Sequence, residues 1–256
     1  MESNSVNWRL WQRFFAGRRS RTLPTLDAPE TYVGIPASVA RSLAIFQLGE
    51  SGGGNIIQQA RSSSNKSIDA HYADAMALFV KEEHRHAEIL AICVRNLGGS
   101  IIRHNWTARL FVFGRRLMGL RLKVLVLLAA EVVGICYYHL LTTRMPKTRL
   151  QSLLTELVND ERSHLHFHCC FLRAQTPRRW QRILFVIVWR ITMFAAAAVV
   201  MIDHRTALRD LDLSFGRVWR RWMSYSRCAE RLVTDREHAE ESDCLLFSEV
   251  GLVVGR

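Results

Sequence analysis

Residues that break regular structure are scarce here. The chain has 256 residues, of which only five are Pro and 14 Gly. Strand-like alternation of apolar and polar residues is also hard to find. Long apolar stretches at helical spacing take its place, so the expected fold class is all-α. Cysteine is confined to six positions, none in a CxxC pair and none preceded by a secretory signal, so reduced thiols in the cytoplasm are expected. Acidic residues are the minority, 23 against 35 Lys+Arg, and the formal charge is +12. That balance suits an anionic lipid surface, an acidic protein partner or nucleic acid. The basic residues are scattered among apolar segments, which ranks nucleic acid last. A hydrophobic share of 49% argues against disorder and provides for one sizeable core.

Three segments are expected: a basic-aromatic stretch and linker over 1–35, a helical bundle with a fifth helix over 36–215, and a polar tail over 216–256. In the first, Trp8, Trp11, Phe14 and Phe15 share a helical face ringed by arginines. This is the composition of a short helix resting on anionic lipid, and equally of one docking its aromatics on the bundle. Pro24, Pro29 and Pro36 favour an extended linker. Core helices are expected over 36–61, 68–96, a third following the basic turn region 103–121, and 147–173. Ser51-Gly52-Gly53-Gly54 falls inside the first of these, where each glycine costs about 1 kcal/mol relative to Ala. Such a cost implies a local need for open space or for close backbone approach. The fifth helix, 183–202, is long enough to span a bilayer. Arg190 near its centre opposes insertion by roughly 2.5–3.5 kcal/mol. Packing on the bundle is therefore the first expectation, and peripheral contact with the inner face of the membrane the second.

The chemistry lies in a spacing that occurs twice. Glu83 and His86 are three residues apart on the stripe Met76, Phe79, Glu83, His86, Leu90, Cys93. Glu161 and His164 repeat this on the stripe Leu150, Leu154, Leu157, Glu161, His164, His168. Each pair therefore points where its apolar neighbours point, inward. One helix upstream of each pair stands a solitary acid in an apolar run, Glu50 in the first half and Glu131 in the second. One Glu from each of two helices and Glu-x-x-His from each of the other two is the ligand pattern of two-metal carboxylate bundles. Hard carboxylate oxygens bridge two cations, and imidazole suits iron or manganese. Glu50, Glu83, His86, Glu131, Glu161 and His164 are thus the expected ligands. Tyr138, two turns beyond Glu131, faces the same interior; it is the candidate catalytic residue, hydrogen-bonding near the metals, or it simply packs there. His168 either supports a ligand from behind or closes the end of the bundle. His84 and His166 are expected at the surface, and Asp160 is left open between the site and solvent.

The segments Gly49-Glu50, Glu83-His84-Arg85-His86, Cys93-Val94-Arg95-Asn96-Leu97, Glu131 with Tyr138, and Asp160-Glu161-Arg162-Ser163-His164-Leu165-His166-Phe167 resemble the ferritin-like di-iron superfamily. Within it they are most similar to the aldehyde-deformylating oxygenases (fatty aldehyde decarbonylases). The resemblance covers residues 40–215 and implies a ferritin-like four-helix bundle with additional C-terminal helices. It implies two iron ions on the six ligands and a tyrosine at 138 near them. It also implies dioxygen as co-substrate, and an external reductant such as the electron-donor protein ferredoxin. Its substrate would be a long-chain, fatty-acid-derived aldehyde, converted to formate and a hydrocarbon one carbon shorter. Ser51 to Gly54 depart from that family's bulkier residues, which gives the pocket a different shape. Gly49-Glu50-Ser51-Gly52 also resembles the first-ligand region of the demethoxyubiquinone hydroxylases, which would make the chain a di-iron hydroxylase of a membrane quinone. A non-catalytic, iron-binding ferritin-like protein is the remaining alternative.

Overall fold

A computed structural model describes residues 6–24, 35–52, 55–65, 67–106, 109, 118–235, 237–239 and 241–242, and every regular element among them is helical. In chain order these are α1 (Trp8–Arg18), α2 (Ala37–Glu50), α3 (Ile56–Arg61), α4 (Ala70–Asn96) and α5 (Leu120–Thr142). Then follow α6 (Arg149–Ala174), α7 (Arg179–Asp203), α8 (Arg205–Asp210) and α9 (Phe215–Thr234). Gly53, Gly54, Pro29, Cys244 and much of the basic region 103–121 lie outside the described residues.

Local chemistry sets several of the boundaries. Asp69 accepts a hydrogen bond from the Tyr72 N–H and starts α4. Thr148 does the same for the Gln151 N–H and starts α6. Each satisfies a donor that the first helical turn leaves without a partner. The first core helix is shorter than expected: α2 stops at Glu50, and the chain resumes helix only at Ile56. The glycine run after Glu50 disfavours a continuous helix enough to break it. Glu50 is therefore the last residue of its helix rather than its midpoint.

Two helix pairs build the core. α2 lies along α4, and α5, which is buried almost all round, lies along α6. The inward faces of these four helices meet in one hydrophobic cluster. α1 joins the same cluster. Trp8, Trp11, Phe14 and Phe15 are all buried, packed against one another and against Tyr72, Phe79 and Phe167. The aromatic face of the N-terminal helix is thus spent on the bundle and is not available to lipid. The segment expected as a polar tail also contributes: α9 buries Val218, Trp222, Leu232 and Val233 and packs against α5, α6 and α7.

Candidate metal centre

The stripes read from the sequence are the buried faces of α4 and α6. Every member of both is buried, from Met76 to Cys93 and from Leu150 to His168. Because α4 and α6 face each other across the core, the two Glu-x-x-His pairs converge. Glu83, His86, Glu161 and His164 each offer a ligand atom, and those atoms lie within 4.8 Å of one another. Glu161 is central, with one carboxylate oxygen 3.1 Å from His86 Nδ1 and the other 3.1 Å from His164 Nδ1. Glu83 Oε1 is 2.9 Å from His164 Nδ1 and 3.7 Å from His86 Nδ1.

The two solitary acids arrive at the same place. Glu131 of α5 puts Oε2 4.0 Å from His164 Nδ1. Glu50, at the end of α2, accepts a hydrogen bond from the Tyr138 hydroxyl at 3.3 Å and lies in the field of Glu83 and Glu161. All six expected ligands and Tyr138 therefore border one space. His168 is fully buried with Nε2 3.3 Å from Glu131 Oε1, beside a ligand rather than at the bundle end. His84 is exposed and His166 half-buried.

Burial, then the carboxylates of Glu83 and Glu161, push the pKa of Glu50 well above the usual carboxylate range. Burial, then Glu161 and Glu83, do the same to Glu131. Burial alone would raise Glu161 as well, but a hydrogen bond from protonated Glu131 and the two histidines hold it well below its ordinary value. Burial opposes charge on the histidines, yet Glu161 and its neighbours raise His86 to about 9, and Glu83 and its neighbours raise His164 well above normal. At His168 burial, then the His164 charge, outweigh the Glu161 carboxylate and lower it to about 3, so it is neutral.

This donor set fits cations. His164 Nδ1 carries at most one proton, and the side chains of Glu83, Glu131 and Glu161 all face it. Glu83 Oε1 is buried and makes no hydrogen bond of acceptable geometry. Four carboxylates and two imidazole nitrogens turned into one buried space suit hard to borderline divalent ions such as iron or manganese. An unpaired acid there would carry a large burial cost that a bound cation removes.

A further layer holds the histidines from outside. His86 Nε2 is 3.4 Å from Asp160 Oδ2, and His164 Nε2 is 2.9 Å from Glu82 Oε2. Asp160 precedes Glu161 in sequence, and Glu82 precedes Glu83. The histidine of each half is therefore fixed by the acid next to the other half's ligand. Arg18 of α1 spans these two acids, 3.2 Å from Asp160 Oδ1 and 3.7 Å from Glu82 Oε2. Arg21 also reaches Asp160 at 2.7 Å. Burial alone would raise Asp160, but the bond from His86 and the two arginines hold it well below its ordinary value. Phe15 and Phe79 press their rings against the His164 imidazole and close that side to water. Fixing a ligand's ring and tautomer in this way is commonly worth 10–100-fold in metal affinity, so Asp160→Asn is expected to lose about that much by chelator competition. Asp160 thus belongs to the site. Glu82 was not singled out from the sequence, although an acid stands directly ahead of Glu-x-x-His in both halves. Arg18 had no signal, because its partners Glu82, Asp160 and Ser163 lie far along the chain, Ser163 by 145 residues.

The chain matches no family model, no curated protein and no solved structure, so the reading of this centre rests on its own residues and geometry.

Proposed function

We propose that this chain is a non-haem di-iron enzyme that uses dioxygen to oxidise a long-chain, lipid-like substrate of the fatty aldehyde type. The observation that carries the reading is the convergence of Glu50, Glu83, Glu131, Glu161, His86 and His164 on one buried space. Two iron ions held there, reduced by an external donor such as ferredoxin, would supply dioxygen activation.

The chain's own residues would divide the remaining work. Glu83 and Glu161, closest to both histidines, would hold the ions at the centre. Glu50 and Glu131 would complete the set from either side. Tyr138 keeps its proton, because burial and then the Glu50 carboxylate raise its pKa well above normal. Its hydroxyl can therefore donate to Glu50 and fix that ligand's orientation. The α1 side is sealed by Phe15 and Phe79, so an apolar chain would approach past Glu50. That residue is half-buried, α2 ends there, and a Cβ added at Gly49 would meet nothing within 4 Å.

The test is anaerobic loading with ferrous iron, then addition of oxygen, a reductant and a fatty aldehyde, with products read by gas chromatography. A hydrocarbon one carbon shorter together with formate is the expected result; absence of both rules out deformylation. Hydroxylation of a membrane quinone is a second reading, favoured by the exposed apolar face of α7, which a water-soluble substrate does not require. Quinones from a deletion strain would then accumulate without the added hydroxyl.

A further inference from the structure

One helix of the structure carries far more apolar surface to solvent than its packing needs. α7 buries only one narrow stripe, Phe185, Trp189, Met193 and Ala197, at steps of four. The outward stripe is just as apolar. Trp180, Ile183, Ile187, Ile191, Phe194 and Ile202 are each between 52% and 65% exposed. They recur at steps of three and four, or eight, so they form one continuous band along the whole helix. α5 is comparably apolar, but it is buried. A contiguous exposed band of this kind marks a docking surface rather than ordinary surface scatter.

Charge identifies the occupant. Arg178 and Arg179 are exposed at the start of the band, and Arg205 and Arg209 just beyond its end. The outer side of α9, which packs alongside α7, exposes Arg217, Arg220, Arg227 and Arg231. The one cation near the middle of α7, Arg190, is bound to Glu230 of α9 through two hydrogen bonds of 2.9 and 2.8 Å. It is therefore drawn toward the neighbouring helix and neutralised. A second copy of the chain laid on this band, parallel or antiparallel, would oppose arginines to arginines at both ends. An anionic bilayer meets both features at once, with acyl chains under the band and headgroups against the cations.

We propose that α7 seats the protein on the surface of an anionic membrane, lying in the interface plane with its isoleucine band in the acyl boundary. A spanning orientation does not fit. α9 runs beside α7, and crossing would carry its arginine row into hydrocarbon. The seated helix also leads back toward the metal centre. His204, directly after α7, bonds Ser42 of α2 through Nδ1 at 2.6 Å and stacks on Phe46, which packs against Tyr138. Phe46 lies one turn before Glu50, so the membrane end of the molecule adjoins the side where an apolar substrate would enter. The proposal concerns binding alone and holds whatever reaction the centre performs.

The experiment is vesicle flotation of the full-length, metal-loaded protein. Mixed phosphatidylglycerol–phosphatidylcholine vesicles should carry it upward, pure phosphatidylcholine vesicles much less, and added salt should release it. Ile187→Glu with Ile191→Glu should cut partitioning by more than tenfold while helical content and native mass stay unchanged. Arg217→Glu or Arg220→Glu should each cost about fivefold or more on the anionic vesicles. An alkaline carbonate wash should strip the bound protein. Failure of the wild type to float overturns the proposal, as does full binding by the double glutamate variant. Retention through the carbonate wash overturns the flat orientation. A native dimer that the glutamates convert to monomer would show that a second copy covers the band instead.

Discussion

Glu161→Ala is expected to abolish metal binding. The wild-type chain should hold about two ions after reconstitution, by metal analysis of the desalted protein. The variant should hold none. Among the described residues, no other side chain is placed as Glu161 is, with one oxygen 3.1 Å from His86 Nδ1 and the other 3.1 Å from His164 Nδ1. Its removal takes the shared carboxylate from both sides of the centre at once, so the two ions are lost together rather than in turn. Circular dichroism of the variant should show the helices intact, because the stripe around it is carried by Leu150, Leu154 and Leu157. Retention of two ions per chain by Glu161→Ala would sink the assignment of the site.

Loading the centre is expected to release protons, and metal affinity should therefore climb steeply with pH. Glu50 and Glu131 have raised pKa values, and so do His86 and His164, so four groups hold protons that ligation must displace. At two protons per ion, affinity should rise by as much as about 100-fold per pH unit near neutrality. Chelator competition across the pH range, with a pH-indicator dye counting the released protons, measures both quantities. The metal-free protein should behave oppositely. A histidine raised from 6.5 to about 9 adds stability that is complete below about pH 6.5 and lost as the pH climbs through about 9. The raised acids Glu50 and Glu131 have the same sign, since the folded state binds their protons more tightly than the unfolded chain does. Asp160 and Glu161 are depressed, so their contribution is present above the ordinary carboxylate range and lost in acid. Mildly alkaline buffer should thus lower the melting temperature of the metal-free protein while strengthening its hold on metal. A metal-free protein whose melting temperature rises from pH 6.5 to 9 would contradict this account.

Much of this centre was legible because a helix repeats its faces at fixed steps. Glu83 and His86 could be placed inward from Met76, Phe79 and Leu90 alone, and the same logic placed Glu161 and His164. Glu131 was legible because a lone acid among Leu127, Leu128, Ala129 and Ala130 needs a partner. What stayed hidden depends on contacts between distant segments. Nothing in the periodicity of α1 distinguishes lipid from the bundle as the partner of Trp11 and Phe15. Only Phe79 and Phe167, brought from elsewhere in the chain, decide it. Arg190 is a similar case: read along its own helix it opposes a bilayer span, and nothing there shows that Glu230 on α9 pairs with it. Glu50 at the end of α2 rather than its middle was foreshadowed by the glycines, although their effect was read as open space or close backbone approach and not as a break.

The docking of α1 also bears on the order in which the molecule assembles. Arg18 emerges from the ribosome long before its partners, since Ser163 lies 145 residues downstream and Asp160 lies 139 residues beyond Arg21. Contacts of such separation close late, because the intervening chain must first be ordered. The aromatics of α1 have nearer partners on α4, Tyr72 for Trp8 and Phe79 for Phe15, and can meet them before α6 is made. The wall that Phe15 provides can therefore stand on α4 before α6 brings Glu161 and His164 to complete the centre.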